Sequence, residues 1–451
     1  MFSINGMNKN LNKEILNIGV PVFLETLFTA FAAIIDSKMV ASMGVSAISA
    51  VSVTNQPRLF IFSIFFAIHT VTTSLIAKYY GKDNRVEANK VFNHVIKLTI
   101  ILSLALGLLS ALLARPVMIL FSGQKDTLES SLIYFRIVMA GMIFNLLYMT
   151  VNSALRGIGK TKLTFADNVL SCAVNLFFNY LLIDGHFGFP ALGIAGAATA
   201  TVLGNAAALV MSLVFACNRE LYINIPFCFA RKYRMTIESL KEISSLTKSC
   251  TMDNLNMRFA LLLISGISAR IGSYQMAVYS IGNYLLNINF ALGTGLQTSA
   301  VTLIGRAYGK ENYYMINKIR IAITNLGLIF STVLSILIAA GGRLFFSFFS
   351  QEQEFIAMGT SSAVFIGVIT VSQTLKFIFN GCLQGMGMMK QSMFCSLVAF
   401  SAVNLGSVAL SVLILDMGIR GVWVSTFLCQ TVHAMMLYYF IRHTRKGDRQ
   451  A

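Results

Sequence analysis

The sequence predicts an all-α integral membrane protein of twelve transmembrane helices, arranged as two parallel six-helix repeats, an N and a C lobe, around a central cavity. Three observations predict it. Only 12% of the 451 residues are charged while 56% are hydrophobic, and soluble domains carry roughly 25% charged residues. The mean hydropathy is +0.71, so lipid is the solvent that fits this surface. The second half of the chain also repeats the first.

The spans are taken in order. Residues 1–14 are polar, and the first apolar run covers 15–40. It is too long for a signal-peptide core and no small-residue cleavage site comes after it, so it reads as a membrane helix. Further runs lie at 55–77, 95–114, 131–154, 163–183 and 191–216. After a charged stretch the pattern resumes at 247–269, 276–304, 320–341, 358–383, 391–415 and 419–441. Each is near the ~20 residues that a helical span needs, and each is continuous where barrel strands would alternate.

Charge orients the spans. With the N-terminus in the cytoplasm, 25 of the 35 basic residues fall on the cytoplasmic side, among them Lys82, Lys90, Arg156, Arg231, Lys232, Arg234, Arg306, Lys310, Arg445 and Arg449. Six fall opposite: Arg58, Arg115, Lys125, Arg270, Arg343 and Arg420. This places both termini on the cytoplasmic side of a cell membrane and accounts for the +17 net charge without nucleic acid. The seven cysteines are scattered, with no C-x-x-C pair, and read as buried apolar side chains.

A shift of 228 residues superposes the halves. Ala77-Lys78-Tyr79-Tyr80-Gly81-Lys82-Asp83-Asn84 falls on Gly305-Arg306-Ala307-Tyr308-Gly309-Lys310-Glu311-Asn312. Gly44 falls on Gly272, Asn152 on Asn380, and Leu155-Arg156-Gly157-Ile158-Gly159 on Leu383-Gln384-Gly385-Met386-Gly387. A shift of 229 brings Ala173-Val174-Asn175-Leu176 onto Ala402-Val403-Asn404-Leu405. Six spans per repeat is an even number, so the repeats are parallel. The expected division is an N lobe over 1–217, a cytoplasmic loop over 218–246 and a C lobe over 247–451.

On these stretches, with Ile35-Asp36-Ser37 and Pro190 to Thr201, the chain resembles the multidrug and toxic compound extrusion (MATE) family, within the superfamily that includes lipid-linked saccharide flippases. The resemblance covers nearly the whole chain. It implies a secondary antiporter that exports small organic, cationic or amphipathic compounds in exchange for Na⁺ or H⁺ by alternating access. No catalytic residue or cofactor is expected beyond that coupling ion, nor any metal beyond a possible Na⁺ at Asp36. The expected partners are the small-molecule substrate and the bilayer, and the expected state is a monomer.

Acids inside the membrane are costly and point to function. Asp36 matches the family's helix-1 acid, taken to bind the coupling cation. Asn175 and Asn179, one turn apart in the fifth span, and Thr201 in the sixth supply oxygens suited to a hard cation. Some relatives carry an acid where this chain has Asn179. The second-lobe candidates are Asp253, its repeat partner Glu25, and Gln373, which stands where several relatives have an acid. Lys38 is a possible partner for Asp36 and Arg258 one for Asp253, while Asp167, beside Lys162, reads as interfacial. Two rivals are a lipid-linked saccharide flippase, which needs a strongly cationic cavity, and a membrane-embedded prenyl- or glycosyltransferase, which needs clustered Asp or His. The chain has four intramembrane cations offset by acids, and no D-D-x-x-D cluster or paired His.

Overall fold

The computed structural model describes residues 9–122, 125–230 and 237–447. Arg231, Lys232, Arg234 and Arg449, counted above as cytoplasmic, lie outside them. The described residues are helical and contain no strand. The order is α1 (Lys9–Ala41), α2 (Val45–Gly81), α3 (Arg85–Leu112), α4 (Ala114–Ser122), α5 (Lys125–Ala140), α6 (Met142–Gly157), α7 (Thr161–Leu182), α8 (Ile194–Cys217) and α9 (Ile225–Ala230). It continues with α10 (Ile237–Ile271), α11 (Ser273–Gly309), α12 (Tyr313–Ser347), α13 (Gln353–Gly385), α14 (Met389–Ser396), α15 (Leu405–Val408) and α16 (Gly418–Gly447).

Among the described residues, helices stand at all twelve expected spans. Among the described residues nine helices are long and apolar enough to cross a membrane, and α5 with α6 make a tenth, bent by 45°. The bend sits at Gly141, where an added Cβ would lie 2.4 Å from Val202 of α8, so only glycine admits that approach. The other two are α10 and α11, of 35 and 37 residues. Their length suffices, but Asp253 and Arg258 in one and a series of Asn and Ser in the other dilute their hydropathy.

Side-chain placement is that of a lipid-solvated protein. On α3, Leu104, Leu108 and Leu112 stand 58%, 65% and 71% exposed, one turn apart in a row. The inward face carries Thr99, Ser103, Gly107 and Ser110. Small and weakly polar residues inside, with leucines outside, let helices approach closely where water supplies no drive to bury leucine.

The repeat is visible in backbone detail. Asn84 caps α3 by accepting from the Glu87 N–H at 3.1 Å, and Asn312 caps α12 by accepting from the Met315 N–H at 3.0 Å. The residues before these caps, Asp83 and Glu311, have φ of 53° and 56°, and Gly159 and Gly387 have 70° and 77°. One difference between the repeats is a change of register. Between α14 and α15, Leu397–Asn404 is π-helical, and here the register shift changes from 228 to 229. A π turn holds one more residue than an α turn, so it absorbs the inserted residue without rotating Asn404 and the residues after it.

Contacts divide the chain into two compact units, and the division differs from the expected one. Leu24–Thr247 form one, called here the N unit, whereas residues 9–23 group with those from Lys248 onward in the C unit. The first half of α1 belongs to the C unit because its apolar face is completed there: Ile15 and Ile18 pack in one cluster with Leu296, Ala300, Leu303 and Ile304. Ser299 donates to the Ile15 carbonyl at 3.0 Å, and Arg306 pairs with Glu14 at 3.1 Å. The expected inter-lobe loop is largely built into the N unit. Arg85 of α3 donates to the Leu221 and Tyr222 carbonyls at 2.8 and 3.1 Å, and Asn89 accepts from the Asn224 N–H at 3.0 Å.

Candidate functional site

Asp36, Asn175, Asn179 and Thr201 form one hydrogen-bonded chain within the N unit. Asn179 of α7 donates its amide to Asp36 of α1 at 2.5 Å and lies 3.4 Å from the Asn175 carbonyl oxygen. Asn175 donates to the Thr201 hydroxyl of α8 at 3.4 Å, and Thr201 donates to the Ala197 carbonyl at 3.0 Å. Asn179 is 0% exposed and its carbonyl oxygen has no partner. Close packing of α7 and α8 makes this possible: a Cβ on Gly204 would lie 2.6 Å from the Ser171 carbonyl and 3.0 Å from the Asn175 Cβ.

Two further residues border this chain. Arg58 of α2 interacts electrostatically with Asp36, and Tyr134 of α5 with Arg58, Asp36 and Thr201. Arg58 is oriented by Asn55, whose carbonyl oxygen accepts from it at 2.8 Å. The sequence expectation counted Arg58 on the outer side, at the start of the span 55–77. Instead α2 begins at Val45 and carries Arg58 half-buried inside it. The cation facing Asp36 is therefore Arg58, and Lys38 is exposed.

Glu25 and Asp253 occupy equivalent positions, but Glu25 lies in the N unit and not with the second-lobe candidates. Its carboxylate pairs with Arg156 of α6 at 2.6 Å and accepts from the Thr164 hydroxyl at 3.2 Å. Arg156 thus faces a buried acid, where the sequence count placed it in a cytoplasmic loop. In the C unit, Ser392 stands where the repeat puts Thr164, and its hydroxyl lies 2.5 Å from the Asn380 carbonyl oxygen and 3.3 Å from the Asp253 carboxylate. The cation near Asp253 is Lys376 of α13, rather than Arg258. Lys376 is buried, 3.9 Å from the Phe377 ring centroid. Gln373 does not join Asp253. It accepts from Asn289 of α11 at 2.7 Å, beside a 3.0 Å bond from Thr374 to the same asparagine. Asp167, read as interfacial, is fully buried.

The two units share an acid and a hydroxyl at Glu25–Thr164 and Asp253–Ser392, with the cation drawn from different positions, and they differ entirely around Asp36. The position 228 residues beyond Asp36 is Ile264, and that beyond Arg58 is Leu286, both buried and apolar. The polar chain at Asp36 has no copy there.

Known proteins share this sequence pattern and this fold. The MatE family model matches residues 21–181 and 250–409, one match on each repeat. The chain belongs to the MatE family. As a MatE protein it is a multi-pass membrane transporter of small molecules and not an enzyme. An uncharacterized transporter, YisQ, of Bacillus subtilis is 22% identical over 441 residues, covering 97% of this chain and 96% of that one. The probable multidrug resistance protein NorM of Thermotoga maritima is 23% identical over 418 residues, covering 92% and 88%. The multidrug export protein MepA of Staphylococcus saprophyticus is 22% identical over 449 residues, covering 97% and 95%. A crystal structure of MATE in the bent conformation matches with a TM-score of 0.90 at 18% identity, covering 98% of this chain and 96% of that one. At that identity the likeness speaks for the fold alone.

Proposed function

We propose that this MatE transporter exports small organic compounds, cationic or amphipathic, in exchange for a monovalent cation carried at Asp36. The observation that carries the reading is the single hydrogen-bonded chain from Asp36 through Asn179 and Asn175 to Thr201, bordered by Arg58 and present in one repeat only. Relatives named for multidrug resistance and multidrug export support the substrate class. The basic-residue bias supports both termini in the cytoplasm and insertion in the cell membrane.

The mechanism rests on charge balance. A buried carboxylate is costly unless something opposite faces it. Without the coupling ion, Arg58 and the Asn179 amide stabilise the Asp36 anion. Binding a cation neutralises Asp36 and releases Arg58, so the site has two electrostatic states for alternating access to exploit. Between H⁺ and Na⁺ the geometry favours H⁺. Asn179 presents its N–H to Asp36, and a proton binds the second carboxylate oxygen with that amide in place. A sodium ion shared by Asp36 and Asn179 requires the amide to turn its oxygen inward.

The test is ethidium efflux from proteoliposomes under an imposed pH gradient, or under an imposed Na⁺ gradient at matched pH. The account expects the pH gradient to drive efflux without Na⁺. Efflux driven by Na⁺ alone would reverse the choice of ion, and efflux under neither gradient would reject the exchange.

A further inference from the structure

The N unit contains a second buried acid centre that the coupling reaction at Asp36 does not use. Asp167 of α7 is 0% exposed, and neither of its carboxyl oxygens has a hydrogen-bond partner. Asn152 of α6 is 2% exposed, and both polar atoms of its side chain also lack a partner. Asn152 is the polar side chain that interacts with the Asp167 carboxyl group. Around them stand Glu25 of α1, the Arg156 guanidinium and Tyr148 of α6, and Cys172 of α7, with His69 of α2 near Arg156.

The charges do not cancel. Glu25 has Arg156 at 2.6 Å and Thr164 at 3.2 Å, so one acid is matched to one cation. Asp167 then has no opposite charge among its interacting neighbours, and Glu25 repels it. Two carboxylates and one guanidinium in a buried pocket leave one uncompensated negative charge, which desolvation penalises heavily. His69 does not supply the balance: its Nε2 lies 3.2 Å from the Thr150 hydroxyl, and the charge it stands beside is that of Arg156.

We propose that Glu25 and Asp167 form a second proton-binding site of the N unit, one proton being held by the pair and resting on Asp167. Glu25 keeps the negative charge because Arg156 and Thr164 stabilise it. Asp167 takes the proton because no cation does so there, and Asn152 is its polar neighbour. The site does not depend on Asp36 being the coupling residue.

Infrared difference spectra of the full chain in lipid, taken between about pH 6 and about pH 9, test this by reading protonated carboxyl stretches as buried acids titrate. The parent is expected to show such a band, moving on exchange into D₂O. Asp167→Asn removes it, and Asp36→Asn leaves it in place. Glu25→Gln also removes it, because Arg156 is then free to pair with an ionised Asp167. Arg156→Gln adds a second band, because the pair must now hold two protons. An identical band in the parent and in Asp167→Asn overturns the assignment, as does a band that survives Glu25→Gln. Loss of the band on adding Na⁺ at fixed pH overturns it in favour of a sodium site. Loss of coupled transport in Asp36→Asn has no bearing on either result.

Discussion

Asn179, buried on α7, donates its side-chain amide to Asp36 on α1 at 2.5 Å. That bond joins a helix at the start of the chain to one in the fifth span, and it supports the Asp36 anion directly. Replacing Asn179 by Leu keeps a similar volume and removes the donor. A hydrogen bond to a charged group contributes about 1.5–3 kcal/mol. The expected result is a lower thermal midpoint for the purified protein and loss of gradient-driven ethidium efflux. An unchanged midpoint and full efflux would show that Asp36 is neutral or supported by Arg58 alone.

The Glu25–Arg156 pair predicts a rescue. Removing Arg156 forces Glu25 to stay an unpaired charge or to take up a proton, at a cost of up to about 3–5 kcal/mol, whereas removing both partners leaves two neutral amides. Arg156→Gln should lower thermal stability clearly, and Glu25→Gln with Arg156→Gln should recover most of the loss. If the double variant is as unstable as the single one, the pair does not hold α1 to α6.

Thiol labelling checks sidedness. Lys82 and Lys310 are exposed at equivalent loop positions, and Arg115 and Arg343 are exposed at the opposite ends of their spans. Cysteines at the first two are expected to react with an impermeant maleimide only from the cytoplasmic side, and those at the second two only from outside. Native Cys228 should stay silent, because burial pushes its thiol up to about 11 and thiolate is scarce at neutral pH. Exposed Cys217 is the native residue to replace first. Labelling of all four positions from one side would overturn the orientation.

The π-helical stretch predicts where the chain tolerates a deletion. Removing one residue from an α-helical span rotates every later residue of that helix by about 100°. Removing exposed Ala402 from Leu397–Asn404 should instead convert a π turn to an α turn and restore the 228 register. Membrane expression of the Ala402 deletion should approach the parent's, while deletion of Ile329 within α12 should abolish it. Equal loss in both would mean that the π stretch is not the site of the inserted residue.

Much of this was legible in the sequence, and the failures share a cause. The twelve spans come from apolar runs, and the two repeats from residue identities that reappear as matched caps and matched φ values. Asp36, Asn175, Asn179 and Thr201 were legible because helical spacing and the family's pattern pointed to the same positions. Arg58 was not. It closes the polar run Thr54-Asn55-Gln56-Pro57-Arg58, and hydropathy cannot separate a polar stretch buried among helices from one in water. Asp167 beside Lys162 and Arg156 beside Lys160 misled in the same way, since both face inward from span ends that look interfacial. The split of α1 between units was also hidden. It depends on which distant residues complete the apolar face of Ile15 and Ile18, and no local pattern records that.

The central claim is that the N unit carries the coupling charge at Asp36. The most direct measurement is pH-gradient-driven ethidium efflux from proteoliposomes containing equal amounts of parent, Asp36→Asn and Asp253→Asn. Asp36→Asn keeps the side-chain shape and removes the charge, so it should fold and lose coupled efflux. Asp253→Asn should keep most of the efflux, because Asp253 sits beside Lys376 in the C unit, where the position equivalent to Asp36 is Ile264. If Asp36→Asn pumps as well as the parent while Asp253→Asn does not, the coupling resides in the C unit and the account is wrong.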